Sequence, residues 1–314
     1  MVGDGAGLGI SLIVLTIAGD QFIIALARVA SALRIRPTVV GAVLGGLGTS
    51  FPELVVSGIA SIRGSSQLAV GNLVGSIVAN VCLALAVAAL ISPLRTDSRT
   101  VRREAAISVA GVLLFAVALP GGISVGKGVA LFAALGVAVA ALFRNVRGAD
   151  ARDELGIEVR QFFGAHGSNL RGETGRAVVA LVLMLGGAEL LVRSATGLAA
   201  RLGLAQEFVG LTVVAIGTSA PLIAISVQAA RRKDHDLVVG AVLGGNLFIA
   251  LGGGAIVGLL GRTATSAVGV RPIVLMSLVV VAAWAFMARG NQLNRWEATA
   301  LVLAYAATLP FAPR

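Results

Sequence analysis

Glu53 closes the run Gly48-Thr49-Ser50-Phe51-Pro52-Glu53. The same arrangement returns as Gly217-Thr218-Ser219-Ala220-Pro221, now followed by Leu222. Proline lacks an N–H and clashes with the preceding helical turn. With a glycine four residues upstream, the spacing predicts a helix broken at each motif. A break inside an apolar segment exposes carbonyl oxygens and sets the Thr and Ser hydroxyls beside them. Those are hard oxygen ligands of the kind that Na⁺ and Ca²⁺ take. Glu53 adds the one carboxylate of this constellation, and an acid inside an apolar span is a functional candidate by default. The chemistry in view is cation coordination.

Other reactive residue types point nowhere comparable. The single cysteine, Cys82, lies inside an apolar run, so neither a disulfide framework nor a cysteine metal site is expected. His166 and His235 fall in polar connections, which leaves no Ser–His dyad and no H-E-x-x-H zinc site within a span. The run from Gly121 to Gly128, G-G-I-S-V-G-K-G, approaches a phosphate-cradling loop but has no Ser or Thr after Lys127. No enzymatic machinery is visible, and no cofactor is expected.

Positioning these residues falls to helices in lipid. Of the 314 residues 57% are hydrophobic and only 13% charged, with a mean hydropathy of +0.95. Soluble domains carry about 25% charged residues; half that leaves too little polar surface for water. Apolar runs predict ten transmembrane helices, near 8–33, 38–62, 68–92, 104–120, 123–143, 176–201, 206–230, 236–260, 265–288 and 295–311. The expected fold class is an all-α polytopic membrane protein, with the lipid bilayer as its solvent. A connection at 144–175 carries most of the acids outside the spans, and its stretch from Glu154 to Phe163 reads as a short surface helix. The net charge of +10 comes from arginines that punctuate the apolar runs, so topology explains it better than nucleic acid does. An external N-terminus places 17 Lys and Arg in internal connections and 6 outside. The positive-inside rule therefore predicts both termini outside, in a plasma membrane and, by the Arg-, Ala- and Gly-rich composition, a bacterial one. The absence of a basic segment before Arg28 argues against a cleaved signal peptide.

The two motifs belong to a longer repeat. At an offset of 169 residues, 13 of 36 positions are identical between 40–75 and 209–244, without a gap. Asp20 falls opposite Glu189 at the same offset, and each either serves the site or orients a helix. Small residues recur for helix packing alone, but packing does not ask for Thr-Ser-x-Pro twice at one offset. Five spans per half, an odd number, would make the second half enter the membrane in the opposite sense. The expectation is two inverted five-helix repeats, 1–143 and 176–314, the architecture of secondary transporters.

At these residues the chain resembles the calcium/cation antiporter superfamily, which includes sodium/calcium exchangers. Its signature is G-T-S-x-P-E followed by G-N-x-x-G-S-N-x-x-(N/D), once per half. The first half reads Gly48 to Glu53, then Gly71-Asn72-Leu73-Val74-Gly75-Ser76-Ile77-Val78-Ala79-Asn80, departing only at Ile77. The second ends its first motif on Leu222 and continues Gly240-Ala241-Val242-Leu243-Gly244-Gly245-Asn246-Leu247-Phe248-Ile249. The resemblance implies ten helices, the second and third of each half lining an ion site. It implies side-chain ligands Thr49, Ser50, Glu53, Ser76 and Asn80, and Thr218 and Ser219 through their carbonyls. Leu222, Gly245 and Ile249 stand where three further ligands are usual.

The implied cargo is an inorganic cation: Ca²⁺, Na⁺ or a proton. One carboxylate leaves a divalent ion with an uncompensated charge in a low-dielectric site, which is costly. A monovalent cation leaves it neutral, and a buried Glu without a cation favours its protonated form. Family likeness argues for calcium, and the retained ligands argue for Na⁺, H⁺ or weakened calcium binding. A transporter fold kept as a non-transporting scaffold is the other reading of the altered second half.

Overall fold

The computed structural model describes residues 2–32, 37–95, 99–145, 170–261 and 269–308. These form ten helices: α1 (Val2–Ala32), α2 (Pro37–Ile62), α3 (Ser66–Ile91), α4 (Arg99–Ala118), α5 (Val125–Asn145), α6 (Leu170–Leu202), α7 (Gln206–Arg231), α8 (His235–Leu260), α9 (Val270–Gly290) and α10 (Arg295–Thr308). The expected surface helix and His166 lie outside the described residues. Among the described residues seven helices are long and apolar enough to cross a membrane: α1, α3 and α5 to α9. In α4 the opening Arg99, Arg102, Arg103 and Glu104 shorten the apolar stretch, and α10 has 14 described residues.

Helix pairing in one half is matched in the other. Helix α1 lies along α6, with Asp4 paired to Arg201 at 3.2 Å near one end and Arg28 to Glu173 at 2.9 Å near the other. Helix α8 packs on α2, as α3 packs on α7; α8 also meets α4 and α5, as α3 meets α9 and α10. Helices α3 and α8 are therefore enclosed along most of their length. The outer faces of α1, α5, α6 and α9 instead present Ile13, Phe132, Val182 and Leu278 outward, the apolar exposure that lipid accepts. A two-residue antiparallel bridge, Leu94 with Leu293 and Arg95 with Gln292, ties the end of α3 to the α9–α10 turn.

The predicted helix breaks are not there. Helices α2 and α7 run through Pro52 and Pro221 without interruption. Each proline removes one hydrogen bond, to the carbonyl four residues back, and that residue is Gly48 or Gly217. A flexible glycine backbone absorbs the ring, and neighbouring helices hold the chain in register. Irregularity sits elsewhere, in π-helical turns at Asn80–Leu85 of α3, Gly210–Val214 of α7 and Phe248–Gly253 of α8. Such turns occur mostly as single insertions in α-helices, frequently at functional sites.

Close approach of α3 and α7 depends on bare backbone. A Cβ on Gly71 would lie 2.6 Å from the Glu207 carbonyl oxygen, and one on Gly210 2.6 Å from that of Leu68. The repeat counterpart of Gly71 is Gly240, where an added Cβ meets nothing within 4 Å. Gly71→Ala is therefore expected to destabilise the detergent-solubilised protein by about 1–3 kcal/mol through overpacking. Gly240→Ala should be neutral, or stabilising by up to about 1 kcal/mol from helix propensity. Thermal unfolding of the two variants checks the contrast; equal shifts would mean the halves do not differ at this crossing.

Candidate functional site

Helical spacing sorts the polar residues into stripes. Thr49, Ser50, Glu53 and Ser57 fall at i, i+1, i+4 and i+8 on one face of α2. Asn72, Ser76 and Asn80 repeat every fourth residue on α3, and Thr218, Ser219, Leu222 and Ser226 copy the α2 stripe on α7. The matching stripe of α8 is Ala241, Gly245 and Ile249, with no polar side chain at all. Three polar stripes and one apolar one meet at the centre of the bundle.

Glu53 is fully buried there and is the one acidic side chain among the buried polar residues described. Its Oε1 accepts from Ser219 Oγ at 3.5 Å across the two halves, while Oε2 has no hydrogen-bond partner. Ser50 Oγ donates to the Gly245 carbonyl at 3.1 Å, a contact that the missing side chain at 245 permits. A Cβ on Gly245 would stand 3.0 Å from Ser50 Oγ and 3.3 Å from Thr49 Oγ1. Thr49, half-buried, donates to the Gly46 carbonyl at 3.3 Å. Ser76 Oγ and Thr218 Oγ1 lie 3.4 Å apart, and Thr218 Oγ1 also donates to Asn72 Oδ1 at 3.3 Å. Asn80 Nδ2 donates to Asn246 Oδ1 at 2.9 Å, which leaves the buried Asn80 Oδ1 without a partner.

All seven residues singled out in the sequence thus lie in or beside one cluster where α2, α3, α7 and α8 meet: Thr49, Ser50, Glu53, Ser76, Asn80, Thr218 and Ser219. The cluster holds two asparagines besides. Asn72 bridges the Glu53 carbonyl at 3.3 Å and Ser57 Oγ at 3.0 Å, and its place in the α3 stripe was the available signal. Asn246 lies off the α8 stripe and joins through Asn80. Ser226, the counterpart of Ser57, is buried with Oγ unpartnered. Ser57 Oγ accepts from Asn72 and donates to the Ala69 carbonyl at 3.2 Å; the first of these bonds has no equivalent at Ser226, because Ala241 stands at the position of Asn72.

Several other candidates resolve away from the cluster. Glu189 pairs with Arg63 and Arg193, whose guanidiniums occupy its carboxylate, and Asp20 is exposed on α1. Lys127 Nζ donates to the carbonyls of Ala118, Pro120 and Gly122, each at 2.8 Å, and so caps the end of α4 instead of cradling a phosphate. Cys82 is buried, and His235 bonds Ser92 Oγ at 3.1 Å. Among the described residues no group of three or more His, Cys, Asp or Glu side chains gathers anywhere.

The chain that builds this cluster of hydroxyls, amides and one carboxylate matches known proteins along most of its length. The family described as sodium/calcium exchanger protein matches residues 5–144 and, separately, 173–312. The putative antiporter CaxA of Alkalimonas amylolytica is 30% identical over 304 residues, covering 94% of both chains. The sodium/calcium exchanger MaX1 of Methanosarcina acetivorans is 29% identical over 337 residues, covering 96% of this chain and 95% of that one. A solved structure of the sodium-calcium exchanger NCX_Mj, soaked with Na⁺ and Sr²⁺, shares the fold with a TM-score of 0.68. It is 24% identical and covers 100% of this chain and 99% of its own. The chain is a multi-pass membrane protein of the sodium/calcium exchanger family, a family of cation transporters and not of enzymes.

Proposed function

We propose that the protein exchanges cations across the membrane by alternating access, through a site centred on Glu53. Thr49, Ser50, Ser76, Asn80, Thr218 and Ser219 complete that site. The observation that carries this reading is a pair of buried oxygens without hydrogen-bond partners, Glu53 Oε2 and Asn80 Oδ1, both in the polar cluster. Buried polar atoms are normally satisfied, and a cation satisfies acceptors that no donor reaches. The ion bound at Glu53 is monovalent or a proton, because one carboxylate neutralises one charge and a Ca²⁺ ion would keep an excess charge in a buried site. Family likeness, with a relative named as a sodium/calcium exchanger, supports Ca²⁺ as the second reading.

Two inverted repeats, 1–143 and 176–314 joined by the 144–175 connection, supply the two ways of opening. The matched helix pairings and the double family match support that arrangement. In the plasma membrane the charge bias then sets both termini outside and the connection inside. A cysteine at Gly167, in that connection, should react with an impermeant maleimide only from the cytoplasmic side, since native Cys82 is buried. Labelling from outside would overturn this orientation and place both termini on the cytoplasmic side.

Flux is the direct test. Purified protein in proteoliposomes is given Na⁺, K⁺, Ca²⁺ and H⁺ gradients one at a time. Exchange among monovalent cations and protons, without calcium uptake, is the expected result. Calcium uptake coupled to Na⁺ would move the assignment to the second reading, and no flux of any cation would leave a scaffold.

A further inference from the structure

We infer that Asn246 is a positioning residue of the cation site: it holds the Asn80 amide so that Oδ1, and not Nδ2, faces the ion. The inference rests on the site proposed above and concerns a residue outside its ligand set.

Between Leu237 and Leu260, α8 carries one polar side chain, Asn246. Its repeat counterpart in the first half is Ile77, while the counterpart of Asn80 is Ile249. Each half thus carries one asparagine and one isoleucine at these two positions, and the two asparagines meet. Asn80 and Asn246 are both buried, and the bond between them crosses from α3 to α8 at 2.9 Å. Ile77 and Ile249, at the corresponding positions of the opposite halves, are fully buried apolar side chains. The second half therefore reaches this end of the site through Asn246 instead of through the stripe position.

An asparagine amide turns readily between two orientations, and only one is useful here. With Nδ2 bonded to an acceptor, Oδ1 is left free for a cation; with the amide reversed, a positive N–H edge would face the ion. Asn246 Oδ1 is the acceptor that Nδ2 reaches. Turning Asn80 alone would set two carbonyl-type oxygens against each other in a buried site, where an unmade hydrogen bond is expensive. Partners that orient metal-binding side chains in this way commonly change affinity 10–100-fold when removed.

Detergent-solubilised protein titrated with NaCl, and separately with CaCl₂, against choline chloride at matched ionic strength reads cation binding as thermal stabilisation. Asn246→Leu should raise the half-saturating concentration of the stabilising salt about 10–100-fold. In an Asn80→Ala background, where no amide remains to be oriented, Asn246→Leu should add no more than about twofold. Asn246→Asp keeps the acceptor and should bind at least as well as the unsubstituted protein. A direct ligand would weaken binding by the same factor in both backgrounds, and a purely structural residue would lower stability in choline while leaving half-saturation unchanged. Either result overturns the inference, as does a loss in Asn246→Asp equal to that in Asn246→Leu. If neither salt stabilises the unsubstituted protein beyond choline, the cluster is not a Na⁺ or Ca²⁺ site and the role inferred for Asn246 falls, while flux with K⁺ and H⁺ gradients still tests the exchange reading separately.

Discussion

Glu53→Gln is expected to abolish cation-coupled flux in proteoliposomes while the protein still folds and inserts. The substitution keeps the shape of a fully buried side chain and removes the only acid among the described buried residues. It acts on the ion in two ways. The site loses its negative charge, and the atom in place of the unpartnered Oε2 becomes an amide nitrogen whose hydrogens repel a cation. Removing one partner of a buried charge pair costs about 3–5 kcal/mol, more than a hundredfold in affinity. Folding should not suffer. The remaining amide oxygen still accepts from Ser219 Oγ, which reaches Oε1 at 3.5 Å in the unsubstituted protein. A neutral amide is also cheaper to bury than a carboxylate. Thermal stability in choline chloride should therefore be unchanged or higher while Na⁺, Ca²⁺ and proton-driven uptake all vanish. Flux within a few-fold of the unsubstituted protein would remove Glu53 from the site.

Much of this was legible in the chain because lipid makes sequence simple. A span must be long and apolar, so the run at 68–92 matches α3 at Ser66–Ile91 closely. The rule fails where polar contacts extend a helix. Helix α6 starts at Leu170, not near residue 176, since Glu173 within its first turn pairs with Arg28 of α1 and with Arg176. Hydropathy has no means of registering that support. The polar cluster was legible as a list of residues, because one motif occurs twice and a repeat fixes correspondence without any structure. Its backbone was not. Proline next to a glycine-containing turn reads as a break, yet packing by neighbours keeps α2 and α7 continuous. The π-helical turn at Asn80–Leu85 has no local signal, since it depends on how α3 seats against α7 and α10. Asn246 was invisible as a functional residue for a related reason. Its role comes from a partner 166 positions away on another helix. Glu189 shows the opposite case: an acid inside a span that reads equally as a site residue or a helix-orienting one, whose carboxylate is taken up by Arg63 and Arg193.

Leu222→Glu should turn the protein into one whose stability depends on calcium. Leu222 is buried, one turn beyond Thr218 and Ser219 on the α7 stripe. Its Cδ2 lies 3.9 Å from where a Cβ on Gly245 would stand, the same point that Ser50 and Thr49 hydroxyls approach. A carboxylate there joins Glu53 in one low-dielectric cluster, and two carboxylates neutralise one Ca²⁺. Without the ion, two like charges cannot both persist, and the pair shares a proton or repels. The variant should accordingly unfold at lower temperature than the unsubstituted protein in choline chloride and recover in CaCl₂. Calcium at a hundred times its dissociation constant supplies about 2.7 kcal/mol of stabilisation. Adding Ile249→Asp, at the counterpart of Asn80, takes the site to three carboxylates and should tighten calcium further at the cost of a less stable ion-free protein. Combining Leu222→Glu with Glu53→Gln returns the count to one, and the calcium effect should disappear even though position 222 still carries its acid. That reversal separates a shared site from an incidental surface chelate. A folded Leu222→Glu variant whose unfolding temperature ignores calcium would mean that position 222 does not face the ion, and α7 would then contribute only Thr218 and Ser219.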